Sequence, residues 1–165
     1  HCMDALGREI NALLMNAYRS ILKVEEDMLK STSQGALSIG ELHAIEAIAQ
    51  GRRAGVSVSD VAQWLKVSLP SATVTIAKLV KKGYAEKSRS AQDGRVVTVR
   101  LTRLGSRANA AHHYFHEQMV SALLSSLKDS ERQALIGGLN GLNGFLKRTS
   151  DRLKAEAAAG GEKKL

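Results

Sequence analysis

The side chains able to do chemistry fall into two groups, and neither is arranged like a catalytic centre. The first is histidine and acid: Glu25-Glu26, His43, and His112, His113 and His116. His112 and His116 are four residues apart. On a helix they share one face, the spacing that lets two imidazoles hold one metal ion; an exposed pair, or a contact between chains, fits that spacing equally. The second group is basic. Of a formal net charge of +8, residues 78–107 carry +7, with Lys78, Lys81, Lys82, Lys87, Arg89, Arg95, Arg100, Arg103 and Arg107 against only Glu86 and Asp93. Residues 1–77 are net −1 and residues 108–165 net +2. So local a cationic cluster suits a polyanion, because each Lys or Arg that neutralises a phosphate releases condensed counterions. Any single member could equally be part of a solvated helix face.

Enzymatic chemistry finds no support. The chain has no phosphate-binding glycine loop, dinucleotide fingerprint or nucleophile elbow, and its histidines have no obvious neighbouring nucleophile. Cys2, the single cysteine, can make neither a disulfide framework nor a thiolate zinc site by itself. It lies in His1-Cys2-Met3, which reads as the remnant of a tag ahead of Met3. The 165 residues suffice for one compact domain or two small lobes. With 4% aromatic residues and one proline, a mostly helical fold is expected. No apolar run is long enough to span a bilayer and no signal peptide opens the chain, so the expectation is a cytoplasmic protein with no membrane partner.

The elements that must position these groups follow from periodicity and caps. From Asp4 to about Lys30, Ile10, Leu13, Leu14, Ala17, Ile21, Val24 and Met28 keep helical spacing. Ser38 with Glu41 is a capping-box start for a second helix that ends near Gln50-Gly51. A third helix is expected from about Ser59 to Lys66, with Val61, Ala62 and Leu65 buried. Ser68 caps a fourth, with Pro70 in its first turn, Ala72, Ile76, Leu79 and Val80 as its apolar stripe, and Gly83 as its stop. Its opposite face presents Ser71, Val74, Thr75 and Lys78. Two short helices joined by so brief a turn read as a helix-turn-helix.

Next come residues 84–89, an Asp93-Gly94 turn signal, and the alternating segment from Val96 to Leu101, which together read as a β-hairpin wing. Thr102 starts a long helix to about Leu127, and a last helix runs from Glu131 to roughly Lys154. In it Leu135, Leu139, Leu142 and Leu146 form a coiled-coil-like seam, opposite Gly137, Gly141 and Gly144. One chain has too little surface to bury both faces. The expected fold is therefore mostly α, an α+β winged helix-turn-helix of six helices plus a β-hairpin wing, as an obligate dimer. Residues 1–3 are the tag remnant, 4–34 a dimerisation helix, 35–104 the DNA-binding domain, 105–154 the C-terminal dimerisation helices, and 155–165 a disordered tail.

This pattern resembles the MarR family of winged-helix transcriptional regulators. Asp93-Gly94-Arg95 followed by Leu101-Thr102 and Gly105 looks like the family's D-x-R, L-T-x-x-G signature, and Val67-Ser68, Thr73 and Leu79-Val80-Lys81-Lys82-Gly83-Tyr84 support it. The resemblance implies that Arg95 enters the minor groove of duplex DNA and that Asp93 orients it. The proposed reading has Ser68, Ser71, Thr73, Val74, Thr75 and Lys78 at the major groove, Arg89 and Arg95 at the backbone and minor groove, and two half-sites of a palindromic operator set one helical turn apart by a homodimer. Where family members often carry arginine after the recognition-helix threonine, this chain has Val74, which favours contact with thymine methyl groups over guanine readout.

Two branches of the family match further. Glu26, His43, His112 and His116 resemble the ligand set of the zinc-responsive repressors of streptococci, whereas Leu42 and Ala111 replace carboxylates of that branch's second site. The stretches Val24-Glu25-Glu26, Ile39-Gly40-Glu41-Leu42-His43, residues 89–93 and residues 115–120 look more like the fatty-acid-biosynthesis repressors of Gram-positive bacteria. That resemblance implies no required cofactor, an acyl chain on acyl carrier protein or a small hydrophobic ligand as effector, and an apolar tunnel lined by Leu14, Ile21, Ile45, Phe115 and Met119. Zinc is the alternative effector. A nonspecific basic DNA-binding or interaction protein is the alternative from another class.

Overall fold

The computed structural model describes residues 4–32, 36–89 and 97–161. Among these lie α1 (Ala5–Thr32), α2 (Ile39–Ala49), β1 (Val56–Ser57), α3 (Val58–Leu65), α4 (Leu69–Lys81), β2 (Ala85–Arg89), β3 (Val97–Leu101), α5 (Arg103–Ser125) and α6 (Asp129–Gly161). The chain divides into two compact units, the first ending at Phe115 and the second beginning at His116, within α5.

In the first unit, the helix starts are fixed by short polar side chains that take up orphan backbone N–H groups. Asp4 Oδ1 accepts from the Gly7 N–H at 2.7 Å to open α1. The Ser38–Glu41 capping box opens α2 as the sequence predicts, and a second box, Ser57–Asp60, opens α3. Ser68 caps α4, with Pro70 in the first turn. At the other end Gly83 takes φ +81°, the left-handed conformation that ends the helix and that glycine adopts without a Cβ clash.

The strands form an antiparallel sheet in the order β1-β3-β2. Ala85 pairs with Leu101 and Arg89 with Val97, so the wing's two arms are adjacent antiparallel strands. The short β1, with Val56 opposite Val99, is not anticipated, since two residues carry no readable period. The core gathers Ile45, Ile48, Val61, Ile76, Leu79 and Val99 from α2, α3, α4 and β3, all essentially inaccessible to water.

Two details of the apolar stripes differ from the periodicity. Val80, expected inside, is exposed, and α4 is buried through Ala72, Ile76 and Leu79. On α1, Val24 is exposed while Leu29 is buried. The buried face of that helix therefore runs through Ile21, Glu25 and Leu29 rather than through Val24. α1 belongs to the same compact unit as α2, α3 and α4.

In the second unit, α6 begins where the Lys128 N–H donates to Glu131 Oε2 at 2.7 Å. Arg132 donates from Nη2 to the Leu124 carbonyl at 3.0 Å and from Nη1 to Asp129 Oδ1 at 2.9 Å, closing the corner. The helix continues past Lys154 to Gly161, so residues 155–161 are helical where the sequence suggests a disordered tail. Ile136, Leu139, Phe145, Leu146 and Leu153 are all exposed along it, and a Cβ added at Gly137 or Gly141 would meet open space.

Candidate nucleic-acid interface and the buried histidine cluster

The outward face of α4 is small and poor in hydrogen-bond donors. Ser71, Thr73, Val74, Ala77 and Lys78 are exposed along it, whereas Thr75 is half-buried. The hydroxyls are largely committed to the helix itself. Thr73 Oγ1 donates to the Leu69 carbonyl at 2.9 Å and Thr75 Oγ1 to the Ser71 carbonyl at 3.0 Å. Ser68 Oγ and Ser71 Oγ share a hydrogen bond at 2.9 Å, and Ser68 Oγ also accepts from the Ser71 N–H. Arg89 is exposed at the end of β2. Asp93 and Arg95, the wing-tip pair, lie outside the described residues.

One member of the basic cluster is not free for a polyanion. Lys82 Nζ donates to both carboxylate oxygens of Glu41, each at 2.7 Å, and to the Ala36 carbonyl at 2.6 Å. It clamps the end of α4 to the start of α2. Burial pushes the Glu41 carboxyl up, but hydrogen bonds from Lys82 and from the Ser38 N–H, with the lysine charge, outweigh it and hold the pKa below the ordinary 4.5. Sequence spacing hides this pair, because its partners are 41 residues apart.

The Leu101-Thr102…Gly105 signature has a structural cause in the same corner. Thr102 Oγ1 donates to the Gly83 carbonyl at 2.7 Å and accepts from the Gly105 N–H at 3.2 Å, so one hydroxyl joins the stop of α4 to the start of α5. The Thr102 N–H donates to the Tyr84 carbonyl at 3.1 Å. A Cβ on residue 105 would sit 2.0 Å from that carbonyl oxygen, so only glycine fits.

A buried polar cluster lies behind the interface. Glu25 is 1% exposed and addresses two imidazoles: Oε2 lies 3.1 Å from His43 Nε2 and Oε1 lies 2.7 Å from His112 Nε2. The two rings are 5.8 Å apart, and His112 Nδ1 is 3.7 Å from Glu46 Oε2. Buried charge persists only when paired and hydrogen-bonded, and a carboxylate at Glu25 accepts from both rings when each carries a proton on Nε2. Imidazole and carboxylate are also ligands that zinc takes. The acid differs from the one expected. Glu26 is exposed, 3.8 Å from Lys30 Nζ, and Glu25 occupies the buried place. Its position four residues after Ile21 and four before Leu29 is the signal that could have found it. His116 follows His112 by one turn of α5, in the second unit.

Beside this cluster is a cavity of about 340 Å³. Its walls are Met28, Leu29, Leu37, Leu42, Tyr84, Leu104, Ala108 and Ala111, and its polar groups are Glu25, His112 and Arg107. None of the five residues expected to line a tunnel borders it: Ile45 is fully buried in the core, Leu14 is exposed, Ile21 and Phe115 are half-buried elsewhere, and Met119 belongs to the second unit.

A helix-turn-helix whose second helix stops at a pinned corner and feeds a three-stranded wing defines a winged-helix DNA-binding protein. Comparison with known proteins agrees. A MarR family model matches residues 37–96. The HTH-type transcriptional regulator BilQ of Clostridium symbiosum is 30% identical over 100 residues, covering 60% of this chain and 67% of that one. The crystal structure of Streptococcus pneumoniae FabT in complex with DNA is similar at 33% identity, with a TM-score of 0.77 over 86% of this chain and 97% of that one. The S. aureus MepR–DNA complex, at 19% identity and a TM-score of 0.68 over 81% and 94% of the two chains, shares the fold. The chain belongs to the MarR family. It is a DNA-binding transcriptional regulator and not an enzyme. Among the described residues no helix is long and apolar enough to cross a membrane.

Proposed function

We propose that this chain is a repressor that binds a palindromic operator as a homodimer, and that a hydrophobic ligand in the cavity beside Glu25 and His112 sets its affinity. The cavity is the observation that carries the reading. It has aliphatic walls, a polar end formed by Glu25 and His112, and a cationic group, Arg107, which together suit an acyl chain with a polar terminus. Acyl chains delivered on acyl carrier protein are the effector implied by the resemblance to fatty-acid-biosynthesis repressors. The cavity touches both ends of the DNA-reading machinery. Leu37 and Leu42 belong to the segment that Lys82 clamps, and Tyr84 follows the stop of α4. A ligand wedged there would move α4 against α2.

The convergence of Glu25, His43 and His112 favours zinc as a second effector reading. One titration separates the two. A labelled duplex enriched by the protein from a random-sequence pool is followed by anisotropy with zinc, with chelator, and with long-chain acyl carrier protein. A change in affinity with the acyl carrier alone supports the lipid reading. A zinc response that disappears in His112→Ala supports the metal. Indifference to both would rule out both effectors and leave a regulator of some other small ligand. In the same assay Arg95→Ala is expected to weaken operator binding at fixed salt with little change in melting temperature; unaltered affinity would count against the wing's role and favour a nonspecific basic protein.

A further inference from the structure

The donor chemistry of α4 restricts what its outward face can read. Hydrogen-bond readout of guanine uses a guanidinium or an ammonium, and bidentate readout of adenine uses a carboxamide. Residues 69–81 contain no Arg, Asn or Gln, and their long cationic side chains are Lys78 and Lys81, toward the end of the helix. The hydroxyl protons of Thr73 and Thr75 are spent on the Leu69 and Ser71 carbonyls, and one of the two Ser68 and Ser71 hydroxyl protons is used in the contact between them. At the centre of the face stand Val74, 55% exposed, and Ala77, exposed one turn further on. An exposed β-branched apolar side chain between two threonines whose hydroxyl protons are committed to the helix has one complement on the floor of the major groove, the thymine C5-methyl group.

We propose, on the reading that α4 enters the major groove of an operator, that Val74 is its specificity-determining residue. It selects a thymine in each half-site by packing against the C5-methyl, and Ala77 adds a second methyl contact on a neighbouring base. The hydroxyl oxygens of Thr73 and Thr75 keep lone pairs, so they accept from the adenine N6 amino group of such pairs, while Lys78, one turn beyond Val74, supplies the charge. The bases facing Val74 and Ala77 are thus read as A·T pairs by shape and methyl burial.

The test uses a duplex enriched by the protein from a random-sequence pool, remade with deoxyuridine in place of thymidine at one position at a time. That change deletes a methyl group and nothing else. At fixed salt, one or two positions in each half-site are expected to lose about fourfold in affinity, the factor that burying one methyl group carries. Val74→Ala, a change at an exposed position outside the core, is expected to keep the wild-type melting temperature and to bind the thymidine and deoxyuridine duplexes alike at the affected position. Equal affinity of the wild-type protein for every deoxyuridine duplex, or undiminished discrimination by Val74→Ala, overturns the proposal while leaving operator binding intact. A selection that enriches no sequence overturns operator binding itself, and the proposal with it.

Discussion

Lys82 and Lys78 sit one turn apart on a recognition helix, yet the structure gives them different work. Lys82 is consumed by Glu41 and the Ala36 carbonyl. Lys78 is exposed on the outward face. The salt dependence of DNA binding should tell them apart: Lys78→Met is expected to lower the slope of log K against log salt by about 0.9, and Lys82→Met to leave the slope unchanged while weakening binding through misplacement of α4. The Glu41 half of the clamp has a pH signature. Its carboxyl titrates below the ordinary 4.5 in the folded state, so its stabilising effect is present above that value and is lost as pH falls through it. Thermal melts of the wild type and Glu41→Gln should therefore differ at pH 7 and converge as the pH drops below about 4.5. A gap that stays constant down to pH 3 would remove the clamp from the account. Net charge alone placed Lys82 with its neighbours, because a charge count does not register which partner a long side chain finds across 41 residues.

At the scale of elements, what could be read from sequence was whatever is local. The Ser38–Glu41 box, the Ser68 cap with Pro70 and the Gly83 stop all act within one turn, and all appear where their residue types place them. Alternation in the wing's second arm shows in Val99, buried, and Arg100, exposed, but Val97, on the same face as Val99, is exposed. Features that failed to show were tertiary. The rotation of α1 that buries Glu25 and Leu29 instead of Val24 is of this kind, since Glu25 meets His43 of α2 and His112 of α5. The Thr102–Gly105 corner lies between these cases: its signature is visible, and its cause is a tertiary approach to the Tyr84 carbonyl. Gly105→Ala is expected to cost about 1–3 kcal/mol through overpacking, seen as a lower urea midpoint at unchanged m. Thr102→Ala, which loses a cap, should cost about 1 kcal/mol. Wild-type stability in Gly105→Ala would mean that the corner opens more easily than its geometry implies.

At the scale of the whole molecule, apolar residues on α1 and on α6 are left facing water in each unit. Leu6, Ile10, Leu13 and Tyr18 are exposed along α1, and Ile136, Leu139, Phe145 and Leu146 along α6. Long exposed apolar stripes of this kind mark interaction surfaces. With a homodimer as the proposed assembly, Ile136→Lys combined with Leu139→Lys is expected to sediment as a monomer and to lose most operator affinity, since two half-sites then no longer bind as one unit. A double variant that remains dimeric would move the interface off this face.

The exposure of α6 also makes it a gauge. From Asp129 to Ala159 the helix contains no buried residue, whereas α2, α3 and α4 each do. Backbone amides held only by their own helix open easily, and those under a packed core open only with global unfolding. Hydrogen–deuterium exchange should therefore split the chain in two: slow and independent of protein concentration in α2 to α4, but in α6 fast when dilute and progressively slower as the concentration rises. In that experiment a single peptide spanning Ile136 to Leu146 would report how much of the regulator is assembled.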